Sequence, residues 1–297
     1  MDSTPLQFRE RVSALWKCCD DGTHYSRCVY WNVPDCDWTR KAEKKRIIFY
    51  IGCENGIWKY AFADRAALDK LLTLDQMLAH PNLKNVTIDT IIFIDPPSNL
   101  NLLDVEVNRL MKVVTFHSNK PFLMLQTASS DGFNTPEGVT FLRCLSNIHF
   151  SSVLSSQCLP VYNQFLGNQF SRRIPTPFVL QNVGQNRKFF EKNLKNGKIK
   201  HFYEVEESID RLPAKVMEGI ISSFLKSPEN NRDAFISAHF DVESTEALLE
   251  RKLKEGSCVK EANGSYCFTV YNSKLQERQC LEIVETTRKS LYVCTTR

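Results

Sequence analysis

The sequence predicts an α/β fold: a degenerate leucine-rich-repeat-like solenoid of strand–helix units, preceded by a β-hairpin and a short helical N-terminal segment. Three observations carry this expectation. From residue 86 onward, strand-like and helix-like stretches alternate, and strand midpoints recur about every 22 to 35 residues, close to one strand plus one helix per unit. Between Arg46–Gly52 and Ile57–Phe62 stands Asn55-Gly56, the strongest short hairpin signal. Finally, 42% hydrophobic residues with only 11 Gly and 12 Pro in 297 residues exclude a mainly disordered or collagen-like chain and allow a sizeable core. The strict Leu-x-x-Leu-x-Leu-x-x-Asn signature is missing, and an ordinary open α/β sheet is the alternative.

The elements follow in order. Residues 1–43 differ in character from the rest, holding four of the 11 Cys and three of the four Trp. Within them Leu6, Phe8, Val12, Leu15 and Trp16 have helical spacing, which predicts an amphipathic helix from Pro5 to Cys18. Residues 44–297 form the expected repeat domain. After the hairpin the spacing predicts a helix over Asp64–Ala79. Strands are expected at Val86–Ile94, Pro121–Thr127, Ile148–Leu154, Phe178–Asn182, Ile199–Val205, Ala234–Phe240 and Tyr266–Val270. Helices are expected between most of them, at about 102–116, 136–145, 159–170, 187–196, 213–226 and 245–255. Gly197 and Gly256 stand where left-handed glycines end two of these helices. A closing hairpin, 280–285 with 291–294, is expected to cap the last unit.

The chemistry legible in the sequence is sparse. No Gly-x-Gly, Gly-Lys-Ser/Thr, Gly-x-Ser-x-Gly or His-Glu-x-x-His occurs, so no phosphate cradle, serine nucleophile or zinc-peptidase site is predicted, and no cofactor. The six His sit singly. Cys18, Cys19, His24, Cys28 and Cys36 are suitable zinc ligands by type, but they lack paired knuckle spacing, and no metal is expected. The N-terminus carries charges of both signs and no signal-like apolar run. The most apolar stretch, Val86–Ile94, is far short of the ~20 residues that span a bilayer. An intracellular protein, cytoplasmic or nuclear, with reduced cysteines and no membrane contact is the expectation.

Net charge is +4, too small to demand a polyanion. The excess is concentrated, however. Arg172, Arg173, Arg187, Lys188, Lys192, Lys195, Lys198 and Lys200 stand against Glu191 alone, predicting a basic face for an acidic partner. Nucleic acid is the less favoured occupant, because Phe189, Phe190 and Phe202 are spaced for a helix–sheet interface rather than for stacking on bases.

With these elements placed, the chain resembles the nematode-expanded family of F-box-associated proteins. The resemblance rests on Met1-Asp2-Ser3-Thr4-Pro5-Leu6-Gln7-Phe8 with Val12, on Gly52 to Tyr60, on Phe190 to Ile199, and on Phe224 to Pro228 with Leu249 to Gly256. It implies a non-catalytic protein-interaction module, a target-recognition subunit of a cullin-type ubiquitin ligase. Pro5, Leu6, Phe8, Val12 and Leu15 would then meet a Skp1-type adaptor, and the rest of the chain a protein target. Residues 1–43 depart from the family's F-box in carrying Pro34 and many Asp where packed helix is needed. A basic-surface nucleic-acid binder, or an enzyme whose site is assembled from dispersed residues, are the alternatives.

Overall fold

The computed structural model describes residues 45–80, 83–95, 100–103, 105–126, 131–156, 159–172, 176–181, 186–204, 211–228, 234–272, 276–285 and 291–296. The expected helix at 5–18 and the Cys/His group at 18–36 lie outside the described residues. The chain forms a mixed α/β structure around one open fourteen-stranded sheet.

Strands β1 (Lys45–Glu54) and β2 (Ile57–Asp64) make the predicted hairpin. Asn55 and Gly56 both take positive φ, 51° and 77°, the backbone a tight two-residue turn requires. Next come β3 (Ala67–Leu72) and the short helix α1 (Leu74–Leu78). This corrects the helix expected over 64–79. Asp64 Oδ1 accepts the Ala66 N–H at 3.0 Å and turns the chain back, so Leu72 pairs with Phe62. Thr73 and Gln76 then form a capping box that starts α1 only at residue 74. Tertiary pairing overrides a spacing that suits a helix.

From β4 (Val86–Phe93) the predicted alternation holds, except that Leu102 joins a short strand instead of the helix expected over about 102–116, which starts only at Val107. There follow β5 (Asn101–Leu102), α2 (Val107–His117), β6 (Ser118–Leu125), α3 (Pro136–Leu145), β7 (Ser152–Ser155), α4 (Asn163–Phe170) and β8 (Phe178–Leu180). Then come α5 (Arg187–Lys195), β9 (His201–Glu204), α6 (Ala214–Lys226), β10 (Phe235–Ala238) and α7 (Val242–Lys254). A terminal meander, β11 (Val259–Lys260), β12 (Tyr266–Asn272), β13 (Glu277–Glu285) and β14 (Leu291–Thr296), completes the chain. Helices α5 and α7 end as their glycines predict. Gly197 (φ 62°) donates to Leu194 O and Lys198 to Asn193 O, while Gly256 (φ 71°) and Ser257 repeat the pattern on Leu253 and Lys252.

β1, β4, β6, β7, β8, β9 and β10 are mutually parallel and lie side by side in their order along the chain. The registers align Phe62, Phe49, Ile91, Leu123, Val153, Phe178, Phe202, Ile236 and Val293 in one row across the sheet. Every member of that row is buried. The helices pack on this side: Phe190 of α5 stacks on Phe178 and Phe202, Phe170 of α4 on Phe178, and Phe141 of α3 on Phe93. Ile220 and Phe224 of α6 meet Ile236 and Val293 there as well.

One buried amide on the helix side is tied to backbone. Gln169, 1% exposed, donates to Leu145 O and Ile148 O and so fixes the turn that leads from α3 towards β7. Near the first hairpin, Lys45 Nζ lies 2.9 Å from Asp64 Oδ2. Burial raises the Asp64 carboxyl, but the hydrogen bonds from Lys45 and the Ala66 N–H, with the charges of Lys45 and His80, outweigh it and hold the group below its ordinary value. A depressed folded-state value means stability that is fully present above the ordinary aspartate range and lost as pH falls through the lowered value. Asp64→Asn is therefore expected to cost stability at neutral pH and progressively less on acidification below about pH 4. Urea titrations at several pH values check this, and a pH-independent difference would contradict it.

Candidate functional site

The predicted basic segment does not form one surface. Arg172 is half-buried and donates through Nη2 to Ser146 O at 2.6 Å; burial lowers its guanidinium from the usual value. Arg187 donates to Glu191 Oε1 at 2.8 Å and to Arg211 O at 2.5 Å. Lys195 lays its stem along Gly219, where any Cβ would sit 2.7 Å from Lys195 Cγ, so it seals the α5–α6 crossing. Lys200 is half-buried beside β10, its carbonyl accepting the Phe235 N–H at 2.7 Å. Lys188, Lys192 and Lys198 remain exposed along α5 and the turn after it. Arg173 and the adaptor residues Pro5, Leu6, Phe8, Val12 and Leu15 lie outside the described residues.

What sequence reasoning missed is the opposite face of the sheet. Strand side chains alternate, so each buried residue of the helix-side row has neighbours pointing the other way. The same registers bring Tyr50, Ile92, Met124, Leu154, Val179 and Tyr203 into one row on that side. A flanking row holds Ile48, Thr90, Phe122 and Ser152, and further along His201 beside Phe235. Strands stand about 4.8 Å apart, so six residues in register extend roughly 24 Å. Ile48 and Ile92 are buried, and most of the others are half-buried. Tyr203 is 39% exposed and Phe235 41% exposed. An uncovered sheet face is ordinarily polar, with apolar residues turned only to the core. Here both faces are apolar, and the described helices pack on one.

Two other places bring polar or reactive groups together. Glu204, at the end of β9, is 3% exposed; its Oε2 accepts the His239 N–H at 3.0 Å and lies 3.4 Å from His239 Nδ1. That arrangement ties the end of β10 to β9. It is a buried carboxylate–imidazole pair, and no nucleophile is held at hydrogen-bond distance from the imidazole among the described residues. A groove of about 650 Å³ between α2 and α3 is lined by Arg109, Lys112, the 83% exposed Phe116 and Cys144. Burial pushes the Cys144 thiol up, against nucleophilic reactivity. Among the described residues no three His, Cys, Asp or Glu are placed to hold a metal ion, and no helix is long and apolar enough to cross a membrane.

The cysteines depart from expectation in one place. Cys267 of β12 and Cys280 of β13 are joined by a disulfide, where reduced thiols were expected. Cys144, Cys258 and Cys294 are free thiols. No protein-family model matches the chain, and no curated protein or solved structure matches it either.

Proposed function

We propose that the chain is a non-catalytic protein-interaction module whose target lies along the apolar row from Tyr50 to Tyr203. That row is the single observation that carries the reading: large apolar side chains in register on a face no described helix covers are the usual mark of a docking surface. The consecutive order of the parallel strands and their one-sided helices also support a degenerate leucine-rich-repeat-like solenoid, an architecture that offers one long surface to a partner. In the fuller form of the proposal, residues 1–43 bind a Skp1-type adaptor as in F-box-associated proteins, and the module selects a substrate for a cullin-type ubiquitin ligase. The dispersal of the basic segment weighs against a nucleic-acid surface, since Arg172 and Arg187 are spent on backbone carbonyls.

The test separates the two ends. Full-length chain is mixed with purified Skp1-type adaptor and, separately, used to capture targets. Comparison chains lack residues 1–43 or carry Met124→Glu with Leu154→Glu. Deletion is expected to abolish adaptor binding and leave target capture intact, whereas the paired substitutions do the reverse. Both side chains are only half-buried, so the charged variant is expected to fold. If the full chain recovers no adaptor, the ligase reading fails; if the paired substitutions leave target capture unchanged, the open face is not the docking surface.

A further inference from the structure

The terminal meander places three cysteines in a relation that the binding reading does not use. β13 lies between β12 and β14 and is antiparallel to both. Glu282 of β13 stands opposite Cys267 on one side and opposite Cys294 on the other. Residues opposite one another share a face, as do residues two apart on a strand. Cys267, Cys280, Glu282 and Cys294 therefore all project from the same side of the sheet. Cys280, two residues before Glu282, is a diagonal neighbour of both Cys267 and Cys294, with the same offset and the same strand polarity.

We propose that Cys280 is the shared partner of two mutually exclusive bridges, so that the meander is a thiol–disulfide exchange site. The Cys267–Cys280 bridge is the one present, with Cα atoms 6.0 Å apart, inside the range that a disulfide spans. The register places Cys294 at the same two-residue offset from Cys280 on the other flank. In the exchange, Cys294 loses its proton to solvent and its thiolate attacks Cys280 Sγ. A Cys280–Cys294 bond forms, the Cys267–Cys280 bond breaks, and Cys267 leaves as a thiolate that takes up a proton. No electrons are gained or lost, so no external oxidant or reductant is needed.

Glu282 governs the attacking group. Burial and the neighbouring Glu282 carboxylate both push the Cys294 thiol up, and its Sγ donates to Glu282 Oε2 across 4.0 Å. Thiolate is the nucleophile, so exchange is slow near neutrality and accelerates with rising pH. The site adjoins the docking face: Cys294 pairs with Phe235, the exposed residue beside His201. Moving the tether from one flank of β13 to the other therefore alters the strand that borders this face.

The experiment is peptide mapping of the full-length chain without reductant, after acid quenching and alkylation. In the parent chain at neutral pH the Cys267–Cys280 peptide is expected, with Cys294 alkylated. Incubation at mildly alkaline pH should convert part of it to Cys280–Cys294, with alkylation moving from Cys294 to Cys267. Glu282→Gln should speed that conversion several-fold at neutral pH. Cys267→Ser, treated with oxidised glutathione, should form the Cys280–Cys294 bridge directly. Cys258 is buried, and its resistance to alkylation reports that each variant remains folded. If Cys280 and Cys294 both stay alkylatable in folded Cys267→Ser, the shared-partner proposal is overturned. Should that variant unfold, the alkaline time course of the parent chain decides alone, and no transfer there overturns it equally.

Discussion

Phe190→Ala is expected to lower unfolding free energy by about 3–5 kcal/mol, the range for removing a buried phenylalanine. Phe190 is fully buried on α5 and meets three other rings: Phe178 at 5.6 Å, Phe202 at 5.7 Å and Phe189 at 5.5 Å between centroids. It lies across two adjacent strands, so its loss leaves a cavity that neither β8 nor β9 can close by itself. Collapse is further resisted from the far side, where Lys195 and Gly219 already bring α5 and α6 as near as a missing Cβ permits. Urea denaturation should show a lower midpoint with unchanged slope, since the surface exposed on unfolding hardly alters. A loss under about 1 kcal/mol would mean that α5 is not seated on the sheet as described.

Gly138→Ala is the second large effect, and its sign opposes helix propensity. Gly138 sits in the first turn of α3, where alanine would ordinarily gain about 1 kcal/mol. A Cβ at this position, however, would overlap Gly132 O and lie 2.5 Å from Phe133 Cα. Both obstacles are backbone and cannot rotate away. The Gly138 N–H also donates to Thr135 Oγ1 at 3.2 Å, the oxygen that accepts Trp58 Nε1–H at 3.0 Å. Moving α3 outward would therefore pull Thr135 from Trp58 and loosen the packing of Trp58 against Phe133 and Phe141. A net loss of about 2–3 kcal/mol is expected, as for overpacking of a rigid site. It should come with a change in Trp fluorescence before unfolding. A stabilised variant with unchanged emission would refute the close approach.

How much the sequence disclosed depends on whether a signal is local. Asn55-Gly56, Gly197 and Gly256 occupy backbone conformations that few other residues tolerate, so turns and helix ends could be read directly. Strands β4 and β6 to β10 were legible as apolar runs between helices. β3 was not, because Leu68, Leu71, Leu72, Leu74 and Met77 have helical spacing and only pairing with β2 reveals the strand. The candidate docking row was hidden for a related reason. Val179 and Leu154 sit in strands of three and four residues, too short for alternation to show which side chains face away from the helices. The basic cluster was the reverse case, evident in the sequence and dispersed in space. Arg172 and Arg187 each reach a carbonyl on another segment, and spacing along the chain carries no information about such a partner. The disulfide follows from a register between β12 and β13 that cysteine spacing alone does not define.

A sheet that does not close on itself has two outer strands, and each exposes unpaired backbone groups on which a second molecule could continue the ladder. At one end β11 is only two residues long, Val259 and Lys260, and Lys260 holds a charge there, paired with Glu250 and resting over the Tyr266 ring. At the other end β3 presents the exposed Lys70, and β5 takes a further stretch of β2 beside it, so neither borders β2 along its whole length. Brevity and lysine are the two cheapest guards against polymerisation through strand addition. A chain carrying this much apolar surface on both faces of its sheet depends on them to stay dispersed at high concentration.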